Sequence, residues 1–109
     1  MNEIKKVSAL KMSAHATEGH RLYRVNAIKT FLGMGEEIIQ TRQQFNDRRM
    51  CYTSTGVMLI CDELLTTIIT MFVPTVDQVC VVYDGNIPEE VKPMMKKNAK
   101  MFKHFSEKC

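Results

Sequence analysis

The stretch from Arg48 to Pro74 constrains the fold of this chain more than any other part of it. Short apolar runs rich in β-branched residues follow one another there, and turn residues separate them, which is typical of consecutive strands. Thr55-Gly56 predicts a tight hairpin turn, and Asn46-Asp47 predicts another one upstream. The spacing favours an antiparallel meander of four strands, which we predict over residues 36–45, 48–54, 57–63 and 66–73.

A helix is predicted before the meander. Ser13 is the expected N-cap of a helix from Ala14 to Leu32, and the glycines that follow are typical of a helix end. Residues 4–12 are expected to add an edge strand or to fray. Apolar residues at helical spacing predict that this helix buries a stripe of Leu22, Val25, Ile28 (or Lys29) and Leu32.

Two helices are predicted after the meander. Thr75 and Gln78 fit a capping box that opens a short helix, and Pro93 fits the first turn of a final helix. The fold class is therefore α+β: an N-terminal helix packed on a four-stranded antiparallel sheet, followed by two C-terminal helices that cover the second face or leave it open. The 109 residues predict one domain, with a helix-and-sheet core over 13–74 and the C-terminal helices over 75–105.

Composition and motifs exclude several classes of protein. The net charge of +3 is too small for a histone-like binder, and no apolar run reaches the roughly 20 residues that a membrane helix needs. Four cysteines without zinc-type spacing favour a reducing cytoplasm and no metal site. Without a Walker loop, a dinucleotide fingerprint or a nucleophile elbow, no cofactor is expected. We predict a cytoplasmic protein that contacts no membrane.

The first helix carries residues that suit acid–base and phosphate chemistry. His20 is a natural general acid or base because histidine titrates near neutral pH, and Arg24 shares its face one turn later. Arg21 falls with the apolar stripe, so it must reach a partner or line a cleft that binds nucleic acid. An ordinary solvated basic helix face is the alternative interpretation.

Polar residues also interrupt the predicted sheet. Arg48 and Arg49 are adjacent and therefore face opposite sides of a strand. Arginine, tyrosine and threonine on neighbouring strands can hold a phosphate, which makes Arg49, Tyr52 and Thr70 candidates. Thr70 lies within an apolar run, so its hydroxyl needs a hydrogen-bond partner or a ligand. The alternative is that tyrosine and threonine simply favour strands.

The last helix has two distinct faces. We expect the apolar face to be buried, either in the domain or against a second copy in a homodimer, because methionine-rich faces adapt to partners. This face includes Met94, Met101, Phe102 and Phe105. The opposite face predicts a nucleic-acid-binding surface made by Lys96, Lys97, Lys100 and Lys103. The alternative is that these lysines form an ordinary solvated face.

Several short motifs, taken in order, resemble a known superfamily. They are H-x-x-x-R from His20 to Arg24, G-E-E-I from Gly35 to Ile38, an Arg/Tyr strand, and I-I-T ending at Thr70. Together they resemble small phage and toxin-like domains of the barnase, colicin and RelE ribonuclease superfamily. The resemblance covers residues 13–74 and implies a helix on a four-stranded antiparallel sheet, with RNA cleavage that needs no metal. It also implies catalytic roles for His20, Arg24, Arg49, Tyr52 and Thr70.

Two alternatives remain open from the sequence. His15 is an alternative to His20, although the position four residues later, where an arginine is expected, is then Gly19. The leading hypothesis is a metal-independent RNase-like domain of phage or toxin type, with RNA and a host or antitoxin protein as expected partners. The rival is a non-catalytic phage or mobile-element protein that binds a host protein or nucleic acid as an inhibitor or adaptor.

Overall fold

The computed structural model describes residues 5–7, 10–14, 18–33, 35, 37–45 and 47–102. Within them the chain forms a six-stranded sheet and three helices, which confirms the α+β class. The strands are β1 (Lys5–Lys6), β2 (Lys11–Met12), β3 (Glu37–Phe45), β4 (Arg48–Thr53), β5 (Met58–Asp62) and β6 (Thr67–Phe72). The helices are α1 (Gly19–Phe31), α2 (Val76–Val82) and α3 (Lys92–Met101).

The sheet differs in detail from the predicted one. The meander β3–β4–β5–β6 is antiparallel throughout, as expected. Two further strands come from the segment before α1: β1 lies antiparallel to β3, and β2 lies parallel to β6. The order is therefore β1-β3-β4-β5-β6-β2, and the sheet is mixed. The prediction of four antiparallel strands was incomplete because strands of two residues are too short to show a period-two pattern.

The two edge strands require a strongly curved sheet. In a flat sheet β1 and β2 would lie five strand spacings apart, which is about 24 Å. Lys6 and Lys11 are joined by a chain that spans at most about 18 Å even when fully extended. The two edges must therefore approach each other. Val7 packs in the apolar cluster under α1, so the sheet curves toward the face that α1 covers.

Helices cover both faces of the sheet. α1 packs on the concave face, where its Val25 and Ile28 are buried with the core residues Cys51, Leu59 and Cys61 of the central strands. The convex face is covered as well, by α2 and α3. They enclose a second apolar cluster of Met50, Tyr52, Met58, Ile60, Phe72, Val79, Val82, Tyr83, Val91 and Met95.

α1 is shorter than predicted and buries a slightly different stripe. It begins at Gly19 instead of Ala14, and Ser13 is not its N-cap; the Ser13 hydroxyl instead donates to a backbone carbonyl oxygen of β6. The prediction for Leu22 was wrong, since it is 42% exposed, whereas Arg24 is only 8% exposed. Successive helical residues turn by about 100°, so Arg24 stands closer than Leu22 to the centre of the buried stripe.

The two C-terminal helices begin where the sequence predicts. Thr75 and Gln78 form both hydrogen bonds of the capping box at the start of α2, and Pro93 lies in the first turn of α3. The length and apolar character that a membrane crossing requires are found in no helix of the described ranges.

The apolar face of α3 is only partly buried. Met95 is buried on the convex face, and Phe102 packs against the cluster under α1. Met101 is 57% exposed, so the expectation of burial is wrong for this residue within one copy of the chain. The buried stripe of α3 runs through Met95 and Asn98 to Phe102 at helical spacing, and Met101 falls beside it. Phe105 lies outside the described residues.

The turn between β4 and β5 holds the ends of α1 and α3 together. The Thr55 hydroxyl donates to the carbonyl oxygen of Gly33, just past α1 (3.0 Å). The buried Asn98 of α3 donates from Nδ2 to the Thr55 carbonyl oxygen (2.9 Å). Gly56 lies so close to Asn98 that a Cβ atom added to it would overlap Nδ2. The C-terminal end of α1 and the second half of α3 therefore meet at this turn.

Candidate functional site

α1 and β6 bring together two of the residues that the sequence singles out. Arg24 donates from Nη2 to the Thr70 hydroxyl oxygen across 3.2 Å, although the two residues are 46 positions apart in sequence. Arg24 is buried, and an arginine keeps its charge at any physiological pH. Charge in such a position is screened less than charge at the surface. The contact therefore places a persistent positive charge just beneath the surface of α1.

A β-bulge in β6 determines the position of Thr70. Ile60 of β5 faces Thr70, but the next residue, Cys61, faces Ile68. Ile69 is thus the extra residue, and such a bulge bends the strand and redirects the side chains next to it. β2 pairs with β6 only as far as Ile68. Thr70 lies just beyond this paired edge, where Arg24 of α1 reaches it.

The predicted histidine stands one turn before the buried arginine. The backbones of His20 and Arg21 belong to the first turn of α1, but their side chains lie outside the described residues, as do His15 and Lys103. Positions four apart on a helix share a face, with Cβ atoms about 6 Å apart. The helix therefore places position 20 beside Arg24, and the role of His20 stays a prediction.

Arg49 lies on the concave face and is hydrogen-bonded to β3, away from Thr70. Its guanidinium donates to the Thr41 hydroxyl oxygen (2.9 Å) and to Oε1 of Gln43 (3.2 Å), both on β3. Both acceptors are neutral, so the charge of Arg49 persists at a half-buried position. β5 separates this cluster on β3 and β4 from Thr70 on β6. The described contacts do not join Arg49 to the Arg24–Thr70 pair.

Tyr52 lies in the core on the opposite face. It is fully buried beneath α2 and α3, and the edge of one ring meets the face of the other at Tyr83, with centroids 5.9 Å apart. Burial, with a smaller contribution from Tyr83, raises the pKa of Tyr52 to about 12. Its hydroxyl has no hydrogen-bond partner among the described residues. The structure does not bring Tyr52 to the Arg24–Thr70 pair.

The predicted lysine face of α3 is exposed along its described length. Lys96, Lys97 and Lys100 all lie at the surface. Lys92 differs because it forms an ion pair with Glu89 (2.8 Å), and this hydrogen bond is the main reason that the pKa of Glu89 lies below its ordinary value. The three later lysines therefore carry the positive charge of this face.

Sequence reasoning did not single out two aromatic residues of α1. Tyr23 is 72% exposed and Phe31 is 67% exposed. The signal was present in the sequence, because both residues fall outside the stripe that contains Val25 and Ile28. A helix that buries one stripe must expose the side chains on its other side.

Two carboxylates, those of Asp62 and Asp84, form a turn contact and an ion pair. The Asp62 carboxylate accepts hydrogen bonds from Thr66 and Thr67 in the β5–β6 turn. The bond from the Thr66 side chain is the main reason that the pKa of Asp62 lies below its ordinary value. Asp84 pairs with Arg42 (3.0 Å). Within the described ranges, no three histidine, cysteine, aspartate or glutamate side chains converge as metal ligands would.

In comparisons with known proteins, no family model, no curated protein and no solved structure matches the chain. The resemblance of its short motifs to the ribonuclease superfamily therefore stays a prediction. Function has to be inferred from the chemistry of the residues themselves.

Proposed function

We propose that this chain is a small RNA-binding domain that cleaves RNA without a metal, at a site formed by α1 and β6. The observation that carries the proposal is the hydrogen bond from Arg24 to Thr70. It joins a positive charge and a hydroxyl from two distant parts of the sequence, at positions where the resemblance implies catalytic groups. His20, one turn before Arg24, adds the titratable group.

Metal-free RNA cleavage needs few groups. The 2′-hydroxyl oxygen attacks the neighbouring phosphorus and gives its proton to a base, while the bond from phosphorus to the 5′-oxygen breaks and that oxygen gains a proton. The products are a 2′,3′-cyclic phosphate and a 5′-hydroxyl. In this proposal His20 moves one of these protons, and water exchanges the other. The charge of Arg24 stabilises the phosphorane-like transition state, and Thr70 is a positioning residue that holds the guanidinium.

A non-catalytic binder is the second candidate, and two observations favour it. Tyr52 is buried under α2 and α3, and Arg49 is hydrogen-bonded to β3. Without them the site combines one titratable position with one buried cation, which suffices for phosphate binding but is sparse for catalysis. The chain would then act as an adaptor or inhibitor that binds nucleic acid or a host protein.

A cleavage assay tests the catalytic proposal. Purified protein should cut an unstructured RNA oligonucleotide in the presence of a chelator and leave 2′,3′-cyclic phosphate ends that mass spectrometry detects. His20→Ala should lower the rate by about 10²–10⁴-fold, which is the usual contribution of a general acid or base. Thr70→Val keeps the side-chain shape but removes the hydroxyl, so it should lower the rate about tenfold through the loss of one hydrogen bond.

The control is Asn26→Ala, because Asn26 is an exposed residue on the same helix. This variant should keep the wild-type rate. If wild-type protein binds RNA but leaves it intact from about pH 5 to pH 9, the enzyme is excluded and the binder remains. If the protein neither cuts nor binds RNA at low salt, both candidates are wrong.

RNA binding should also depend on the exposed lysines of α3. Changing Lys96, Lys97 and Lys100 to glutamine should lower the slope of log affinity against log salt by about 2, since each phosphate contact on a single strand contributes about 0.7. Affinity should fall alike for all sequences because phosphate contacts carry no base information. The double variant Lys6→Gln/Lys11→Gln on the edge strands is the control and should keep the slope. An unchanged slope in the α3 variant would contradict a phosphate contact there.

A further inference from the structure

α1 presents two large aromatic rings to solvent. Tyr23 is 72% exposed and Phe31 is 67% exposed, whereas rings of this size usually bury most of their surface. Both lie on the outer side of the helix, with Ala27 between them at four-residue spacing. They are about 12 Å apart along the helix axis. We call Tyr23, Ala27 and Phe31 the aromatic stripe of α1.

The aromatic stripe ends close to the lysines of α3. Phe31 is the last residue of α1, two positions before Gly33. The Thr55 hydroxyl donates to the Gly33 carbonyl oxygen (3.0 Å), and Asn98 donates to the Thr55 carbonyl oxygen (2.9 Å). The exposed Lys97 directly precedes Asn98 in α3. The end of the aromatic stripe at Phe31 and the lysine-bearing half of α3 therefore approach each other at the β4–β5 turn.

We propose that the aromatic stripe stacks unpaired bases of a single-stranded nucleic acid while Lys97 and Lys100 neutralise its phosphates. Rings beside cations are the combination with which proteins hold single strands, since every base has a flat face that can stack on an aromatic side chain. The separation of Tyr23 from Phe31 is several times the 3.4 Å spacing of stacked bases, so each ring takes its own base. In a duplex the bases are paired and stacked on one another, so the aromatic stripe adds no affinity for it.

This inference rests on the proposed RNA-binding function and specifies the strand that the site takes. It also separates binding from cleavage, because stacking needs no 2′-hydroxyl. A 12-nucleotide oligo(dT) is therefore a suitable probe: it offers bases and phosphates but cannot undergo attack by a 2′-hydroxyl.

The tyrosine fluorescence of the chain can detect this stacking. It contains three tyrosines and no tryptophan, and Tyr52 and Tyr83 are buried. Tyr23 is thus the tyrosine that a stacked base can reach. Oligo(dT) should quench part of the tyrosine emission, and Tyr23→Phe should abolish that change while keeping the affinity, because the phenyl ring still stacks.

Removing a ring should weaken the single-strand complex. Tyr23→Leu and Phe31→Leu should each lower the affinity for oligo(dT) about 5- to 100-fold, from the stacking contribution of one base. Neither should change the affinity for a duplex of the same length. Leu64→Ala is the matched control, because Leu64 is an exposed apolar residue (80%) on the β5–β6 turn, and it should bind as the wild type does.

Three results would overturn the inference. The first is unchanged tyrosine emission with saturating oligo(dT). The second is wild-type affinity in both leucine variants. The third is a stable dimer in sedimentation that Phe31→Glu dissociates, which would assign the stripe to a second copy of the chain. Loss of RNA cleavage with oligo(dT) binding intact would affect the catalytic proposal alone.

Discussion

Replacing Gly56 with alanine should lower the free energy of unfolding by about 3 kcal/mol. Gly56 has φ +88°, and a residue with a Cβ atom pays roughly 1–2 kcal/mol in this left-handed region. The new methyl group would also overlap Nδ2 of Asn98. Asn98 would then lose its hydrogen bond to the Thr55 carbonyl oxygen, and a buried polar group without a partner costs about 1–3 kcal/mol. Urea denaturation measures the change.

A variant at a second glycine separates the backbone cost of Gly56→Ala from the cost of its side-chain overlap. Gly85 has φ +82°, and a Cβ atom there would meet nothing within 4 Å. Gly85→Ala should therefore show the backbone cost alone, and the difference between the two variants is the cost of displacing Asn98 together with the smaller adjustment of the neighbouring Met94 side chain. In an Asn98→Ala background that difference should largely disappear, as a double-mutant cycle would show. Equal destabilisation by the two glycine substitutions would mean that Asn98 does not secure α3 to the β4–β5 turn.

Alkaline pH should destabilise the fold through Tyr52. In the unfolded chain a tyrosine loses its proton near pH 10, whereas burial raises the pKa of Tyr52 to about 12. The folded protein therefore holds this proton longer than the unfolded chain does. The contribution to stability is fully present below pH 10 and is lost as the pH rises toward 12, with a total of about 3 kcal/mol.

Tyr52→Phe isolates this effect from other alkaline titrations. Every other group that titrates at alkaline pH is present in both proteins, so only the difference between their unfolding free energies belongs to Tyr52. Burial and the nearby Glu90 also raise the pKa of Tyr83, and this remains in both proteins. At neutral pH the variant should be as stable as the wild type or more stable by about 1 kcal/mol, because the Tyr52 hydroxyl has no partner in the described part of the chain. If the unfolding free energies of the two proteins change in parallel with pH, the explanation is contradicted.

Local signals in the sequence predict most of the fold. The four strands of the meander, the capping box of Thr75 and Gln78, and Pro93 in the first turn of α3 all follow from patterns within a few residues. For residues 4–12 the sequence predicts only an edge strand or a frayed lead-in, and the structure forms two edge strands there. Their number and partners do not follow from local patterns, because Lys5–Lys6 and Lys11–Met12 are too short for periodicity and pair with strands far along the chain.

Residue types alone predict the candidate site less well. Position on a strand predicts that Arg49 and Tyr52 face opposite sides, but it does not tell which side the helices leave accessible. The burial of Tyr52 depends on how α2 and α3 fold back over β4. The Arg24–Thr70 contact depends on the bulge at Ile69, and the sequence of β6 contains no glycine or proline to indicate one. The same limit applies to α1, because the rotation of the helix about its axis decides whether Leu22 or Arg24 is buried.

The curved sheet has a consequence for the order in which the chain folds. The hairpins of the meander close short loops and can form early, whereas β1 and β2 pair Lys5 with Ile38 and Lys11 with Thr67, far along the chain. On the ribosome the segment that carries both edge strands is synthesised before the meander but completes the sheet last, since β6 must emerge before β2 can pair with it. Weakening these pairings should therefore accelerate unfolding much more than it slows folding.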